Sequence, residues 1–384
     1  MSEHHPIAII GAGLGGLVLA NVLQRNGARP AVFELDASPT AREQGGLLDI
    51  HEDSGQAALR AAGLYAEFRA AVHPGGEAMR ILDKHGNVLR SEQDDGTGGR
   101  PEISRKDLRN ILVSGLPAGV VRWGTKVTEV RADRSFTIGD GTEHTADLLV
   151  GADGAWSRVR PLVSPATPVY SGLSFVEANF TDADTRHPGP AAVVGGGLLF
   201  ALSDEKGFIA HRDAGGLHVY IALRTPAGWS TSGGIDFADT GKAKAALLQS
   251  FADWAPALQS LITDADGELI ARPIHALPVG HSWPRTPGVT LLGDAAHLMS
   301  PFAGEGANLA MQDGAELAAA ILAHPADPEA ALAVYEQALF PRSTAAAAES
   351  ARNLDLCFSP TAPQPLLDLL ATYDTAAGIM DSSR

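Results

Sequence analysis

The chain has 384 residues, 45% of them hydrophobic and 19% charged, with a formal charge of −16 at pH 7. That length supports two cored domains, and the acidity argues against nucleic-acid binding, which needs a basic face. There is no run of about 18 apolar residues, so no membrane span is expected, and a single cysteine, Cys357, excludes an internal disulfide and a dithiol redox couple.

The opening M-S-E-H-H-P lacks the basic-then-apolar pattern of a secretion signal, and with the lone cysteine it points to a cytosolic home. Ala8–Ile10 is a short apolar run of the kind buried in a parallel sheet. Gly11, Gly13 and Gly16 follow in G-x-G-x-x-G spacing. Gly11 permits the tight turn, Gly13 lets backbone approach a pyrophosphate, and Gly16 lets the next helix pack close to the strand. Leu17–Arg25 is a good helix former, with Gly27 suited to its C-terminal cap. The helix start would aim its free N–H groups at phosphate oxygens. Ala31–Phe33 reads as a second strand. Glu34, 18 residues after Gly16, is placed to bind ribose hydroxyls. An acid there favours FAD or NAD over NADP, and a mere glycine-rich turn would not require this order of strand, glycines, helix, strand and acid.

Further along, Ser91–Arg100 is a polar glycine-rich loop and Pro101–Leu116 begins polar and becomes helical. Val120–Arg131, Phe136–Ile138 and Ala146–Val150 read as strands, and Val150–Arg160 as strand, turn and helix. Tyr170–Thr225 alternates apolar and polar residues, as an antiparallel sheet with one exposed face does. Lys242–Ala265 reads as a helix and Ala271–Leu277 as a strand. Leu291–Asn308 (L-L-G-D-A-A-H-L-M-S-P-F-A-G-E-G-A-N) is a Gly-Asp segment followed by a Pro-x-x-Gly-x-Gly loop. Ala307–Ala323, Pro328–Ser350 and Leu366–Met380 read as helices.

The fold class expected is α/β, with a discontinuous Rossmann-like FAD-binding domain (1–169 and 276–350), a β-rich substrate domain (170–275, joined by segments near 45–100) and a C-terminal helix (351–384). With no coiled-coil pattern and no metal-binding run, the chain is expected to act as a monomer without a metal.

Three motifs carry a resemblance: Gly11–Gly16, the Asp-Gly motif in Gly151–Arg160, and Gly293–Pro301. Their order and spacing are similar to those of the class A flavin-dependent monooxygenases, the group built like para-hydroxybenzoate hydroxylase. A narrower similarity runs through G-G-L-L-D-I-H-E-D-S-G-Q-A-A-L (Gly45–Leu59), I-S-R-K-D-L-R-N-I-L (Ile103–Leu112), Thr225–Trp229, Phe251–Trp254 and Gly293–Asn308. There the chain resembles the tetracycline-inactivating monooxygenases.

The resemblance implies FAD as cofactor. Asp294 would hold its ribityl or pyrophosphate region, Arg105 its pyrophosphate through a bidentate guanidinium, and Asp49 would also touch it. Asp153 and Gly154 would serve both FAD and NAD(P)H, and Arg42 matches a basic position linked to NADPH. Pro301, Gly304 and Gly306 would run beside the isoalloxazine, with Asn308 closing the motif, and a helix starting near Ala307 would add its positive end there. No second complete dinucleotide fingerprint is present, so the nicotinamide cofactor would dock transiently.

The substrate is expected between the β-rich sheet and the flavin, with Glu177, Phe208, His218, Tyr220, Pro301 and Gly304 as candidate lining residues. His218 is a candidate partner for a substrate enol. Where the tetracycline branch carries a substrate-contacting glutamine and arginine, this chain has Glu177 and Gly197. The resemblance implies that NADPH reduces FAD, O2 adds at flavin C4a, and the hydroperoxide hydroxylates a polycyclic phenolic or enolic substrate, tetracycline-like before others. No side chain is assigned as an essential acid or base. The alternatives are a hydroxylase of another aromatic polyketide and a flavin-containing protein that sequesters a polycyclic drug.

Overall fold

The computed structural model describes residues 3–41, 46–72, 78–94, 99–212, 215–232 and 235–381. They form two compact units: Met1–Val72, Gly99–Val169 and His275–Ser350 in the first, and His73–Gly98, Tyr170–Ile274 and Ala351–Arg384 in the second. Among the described residues no helix is long and apolar enough to cross a membrane.

The first unit is built on a seven-stranded sheet. Glu3–Ile10 lies at its centre, parallel to Pro30–Phe33 on one side and to Glu143–Gly151 on the other. Val121–Arg122 and Val289–Leu291 extend the parallel set. Ser135–Ile138 and Val127–Val130 form an antiparallel flap on the start of Glu143–Gly151. Ile7, Ala8, Ile9, Ile10, Leu148, Leu149 and Val150 are all buried, the near-continuous apolar run of strands covered on both faces.

Helix Leu14–Arg25 packs on this sheet and crosses helix Gly306–Ala323. A Cβ on Gly15 would stand 2.3 Å from the Ala310 carbonyl oxygen, and one on Gly314 would stand 2.3 Å from the Gly15 oxygen. The two backbones therefore touch, which only residues without side chains permit.

The second unit contains a seven-stranded, mainly antiparallel sheet in which Leu173–Thr181 pairs with Gly216–Arg224, and Lys206–Arg212 lies next along. The hairpin Met79–Leu82 and Val88–Glu92 joins its edge, with Met79–Leu82 parallel to Leu198–Ser203. One face is sealed by helices Thr240–Ser250 and Pro256–Thr263, through Leu247, Phe251, Leu258 and Leu261.

Several local expectations are corrected. Val120–Arg131 is two short strands, because Gly124 turns the chain at φ +69°. Lys242–Ala265 is two helices, since Phe251–Ala255 interrupts it and Pro256 can only begin a helix. Short helices Ala183–Arg186 and Pro188–Val194 interrupt the stretch read as pure sheet. Past Gly151, the Asp-Gly motif forms turns and one 3-10 turn, Arg160–Leu162, in place of a full helix. The helix expected over Pro328–Ser350 runs on to Cys357.

Candidate active site

The glycine turn forms as its spacing requires, each glycine for a different reason. Gly11 sits at φ +109°, and a Cβ there would meet the Ala152 oxygen at 2.3 Å. A Cβ on Gly16 would lie 2.4 Å from the Gly11 oxygen, so this glycine brings helix and strand together. At Gly13 a Cβ would come no closer than 4.0 Å to protein, leaving the approach to the helix start open. Gly13 is the N-cap of Leu14–Arg25 and supplies no capping side chain, and the first turn holds no acid. Its N–H groups face outward for an anion.

Glu34 is buried. Its Oε2 accepts from the Ala12 N–H at 2.7 Å and its Oε1 from the Asp36 N–H at 2.9 Å. The second lone pair on each oxygen is left for ligand hydroxyls. Arg109, which sequence reading passed over, is buried beside it. Its guanidinium donates to Asp36 Oδ2 at 3.1 Å and to the Pro39 oxygen at 3.1 Å, and lies over the Trp123 ring at 5.3 Å.

A second group of expected residues assembles around the Gly-Asp segment. Asp294 is the first residue of the short helix Asp294–His297 and is exposed. Dense surrounding protein raises its carboxyl, against the pull of His297, Arg105 and Arg160. The exposure decides in favour of an ionised group, because water screens that burial. Among the described residues neither the Asp294 carboxylate nor the Arg105 guanidinium has a hydrogen-bond partner. Arg105 begins helix Arg105–Ser114, whose N-cap Ser104 accepts from the Asp107 N–H at 3.0 Å.

Asp153 Oδ2 accepts from the Arg158 N–H at 2.6 Å, while its Oδ1 is buried with no partner. Burial raises this carboxyl. Arg160 ties the two segments together, donating to the Ala295 oxygen at 2.8 Å and the Ala155 oxygen at 2.7 Å. Sequence reading gave Arg160 no role, although a buried arginine must find carbonyls or acids.

The third group lies where Leu47–Asp49 meets the turn before helix Gly306–Ala323. Buried Asn308 donates from Nδ2 to the Asp49 oxygen at 2.9 Å and accepts at Oδ1 from the His51 N–H at 2.9 Å. Pro301–Ala303 is a 3-10 turn closed by Gly304 at φ +68°. A Cβ on Gly304 would sit 3.6 Å from Asp49 Oδ2, and one on Gly306 would point into open space. Helix Gly306–Ala323 likewise starts with no side-chain cap and no acid in its first turn.

Behind these surfaces, Asp313 Oδ2 accepts from the Gly293 N–H at 2.9 Å and from His297 Nε2 at 2.6 Å, and Oδ1 accepts from Arg342 at 2.9 Å. Burial alone would lower His297, but Asp313 raises it, and burial of Asp313 is overridden by His297 and Arg342, which lower it. The pair is an ionic tie between the Gly-Asp turn and helix Gly306–Ala323.

In the second unit, Glu177, His218 and Tyr220 share the sheet face away from its helices, with Glu177 opposite Tyr220 and Asn179 opposite His218. His218 Nδ1 lies 2.6 Å from Asn179 Oδ1, the Tyr220 ring packs on Phe175 and His218 at centroid distances of 4.9 and 4.6 Å, and Arg272 lies 3.3 Å from Glu177. Phe208 corrects the reading. It is fully buried on the opposite face against Phe251 at 4.7 Å and Trp254 at 5.5 Å, so it is a core residue and does not line a substrate site. Gly197 is buried. Arg42 lies outside the described residues.

The residues present fit a dinucleotide cofactor: two helix starts with no side-chain cap, an acid for ribose, Arg105 and Asp294 in mutual attraction, and an Asp153 Oδ1 that is buried with no partner among the described residues. Comparison with known proteins agrees. A family model described as FAD binding domain matches residues 4–350. A monooxygenase of Penicillium thymicola, penA, is 33% identical over 95% of this chain and 98% of its own. Another monooxygenase, asqM of Emericella nidulans, is 30% identical over 95% of this chain and 98% of its own. Among solved structures, HpxO of Klebsiella pneumoniae complexed with FAD and uric acid superposes with a TM-score of 0.77 at 24% identity, covering 97% of this chain and 92% of that one. Tetracycline destructase Tet(55) gives 0.74 at 21%, covering 99% and 97%; at these identities the likeness is one of fold.

Proposed function

We propose, for a chain that belongs to the FAD binding domain family of flavin-dependent monooxygenases, that it uses a nicotinamide cofactor, NADPH first, and O2 to hydroxylate a flat, electron-rich phenolic or enolic ring system. Bound FAD supplies the redox chemistry, taking two electrons from the nicotinamide and activating O2 for transfer of one oxygen atom.

The chain's own residues do the rest. Glu34 takes the ribose hydroxyls, and the open helix start at Gly13 takes the pyrophosphate. Arg105 adds a guanidinium to the phosphates, and Asp294 accepts from ribityl hydroxyls. The start of helix Gly306–Ala323 presents N–H groups where flavin negative charge develops on reduction. The single observation that carries this reading is that Asp153, with Oδ1 buried and without a partner among the described residues, lies against the Gly11 turn, while Asp294 follows Gly293 and is attracted to Arg105.

For the substrate, the sheet face that carries Glu177, His218 and Tyr220 is the surface assigned to an aromatic guest. Tyr220 offers a ring, and His218, steadied by Asn179, offers a polar edge to an enol or phenol oxygen. A tetracycline is the first compound to try, since the chain shares motifs with that branch. Glu177 and Gly197, standing where that branch has a glutamine and an arginine, broaden the class to other aromatic polyketides. The reading is tested by following NADPH absorbance with FAD-loaded protein against tetracyclines, anthraquinones and simple phenols in air. Substrate-dependent NADPH loss supports it; tight binding with no NADPH or NADH loss for any ring compound would favour sequestration.

A further inference from the structure

His51 stands between two carboxylates. Its Nε2 lies 2.9 Å from Asp49 Oδ2 and its Nδ1 lies 3.2 Å from Glu305 Oε1, and the side chain is only 11% exposed. Ionised carboxylates accept and do not donate, so both ring nitrogens must carry hydrogen, and a neutral imidazole would set a lone pair against a carboxylate. Burial would lower the imidazole, yet the two carboxylates bring it up to about 9. Burial would raise Asp49, and the His51 hydrogen bond holds it down. Arg100, 4.0 Å from Asp49 Oδ2, is the other charge in the cluster, and Glu52 and Asp53 on the following turn are exposed.

The bridge spans two segments distant in sequence. Asp49 ends a strand of the small sheet Leu47–Asp49 and Glu102–Ser104. Glu305 sits between Gly304 and Gly306, directly before the helix start. Asn308 repeats the link through backbone, joining the His51 N–H and the Asp49 carbonyl. Remove the imidazolium and two carboxylates face each other beside that turn, with Arg100 4.0 Å from Asp49 as the remaining offset, which costs both the turn's geometry and the electrostatics of any anion held there.

We propose that His51 is a positioning residue for the flavin: as a cation bridging Asp49 and Glu305, it holds the Gly304–Gly306 turn in its binding arrangement and offsets negative charge at the edge of the reduced ring. This rests on the reading that the flavin edge lies against that turn. FAD affinity and the midpoint potential of bound FAD, measured by dye-coupled photoreduction, test it on the full chain.

His51→Gln weakens FAD binding roughly tenfold and weakens the hold on reduced FAD a further tenfold relative to oxidised FAD, about 30 mV downward for a two-electron couple. Glu305→Gln removes a negative charge and shifts the potential upward. Opposite signs from the two variants are what a purely structural role would not give. Gly306→Val is the control, because its side chain enters open space at the turn. If it disturbs the flavin spectrum while the His51 and Glu305 variants leave potential and affinity unchanged, or move the potential the same way, the role of His51 is overturned. If none of the three affects FAD, the placement of the flavin edge fails and the proposal fails with it.

Discussion

The backbones of Gly15 and Gly314 are in direct contact: a Cβ on Gly314 would fall 2.3 Å from the Gly15 oxygen and 3.0 Å from the Leu19 N. Gly15 belongs to the helix that opens the dinucleotide turn, and Gly314 to the helix that opens beside Gly306. Their contact fixes the distance between the two helix starts that the proposed function assigns to one cofactor. Gly314→Ala should push the helices apart at a cost of about 1–3 kcal/mol, the range for overpacking, and should lower FAD affinity without any change in a cofactor-contacting side chain. Thermal unfolding with and without added FAD checks both parts.

Asp313 and His297 form a buried pair 2.6 Å apart. Asp313→Ala leaves the Gly293 N–H, His297 and Arg342 without their acceptor, and removing one partner of a buried pair costs about 3–5 kcal/mol. Urea unfolding followed by circular dichroism and by flavin release should show that loss, with the flavin leaving at lower urea than in the parent. An unchanged midpoint would mean the tie contributes nothing.

Two histidines make stability depend on pH with opposite signs. Burial, then Arg122, lowers His5 to about 4, so between about pH 6.5 and 4 the unfolded chain binds a proton that the folded chain refuses. Stability falls as pH drops through that window, by up to about 1.4 kcal/mol per pH unit for one such group. His51, raised to about 9, adds stability that is complete below about pH 6.5 and is lost as pH climbs to about 9. His5→Asn should flatten the acid side of the melting profile, and His51→Gln the alkaline side, with a smaller loss on the acid side because Asp49 is no longer held down by the imidazolium.

Phe208 and Tyr220 lie on opposite faces of the second sheet. Phe208→Ala opens a hole beside Phe251 and Trp254 and should cost about 3–5 kcal/mol, while substrate KM stays as in the parent. Tyr220→Ala should do the reverse, raising KM with a smaller loss of stability, since Tyr220 is only half-buried. Steady-state kinetics of the two variants beside their melting curves separate packing from recognition.

What could be read from sequence was what local geometry dictates. Gly11, Gly13 and Gly16 were legible because each answers to neighbours along the same strand-turn-helix. The Pro301–Gly306 turn was legible for the same reason. Period-two alternation located the second sheet but could not say which face its helices cover, and that is why Phe208 was misplaced. The joins were invisible: Arg160 to Ala295, Arg109 to Pro39, Asp313 to Gly293 and Gly15 to Gly314 link segments brought together only by the fold. A buried arginine or aspartate looks like any surface charge until its carbonyl or amide partners are in place.

The most direct measurement is product mass after reaction of FAD-loaded protein with NADPH and a tetracycline or another aromatic polyketide under 18O2. The account predicts one labelled oxygen atom gained per molecule of NADPH consumed, with no label taken from 18O water. NADPH oxidation that yields only hydrogen peroxide across every ring compound, or a product whose new oxygen comes from water, would contradict it.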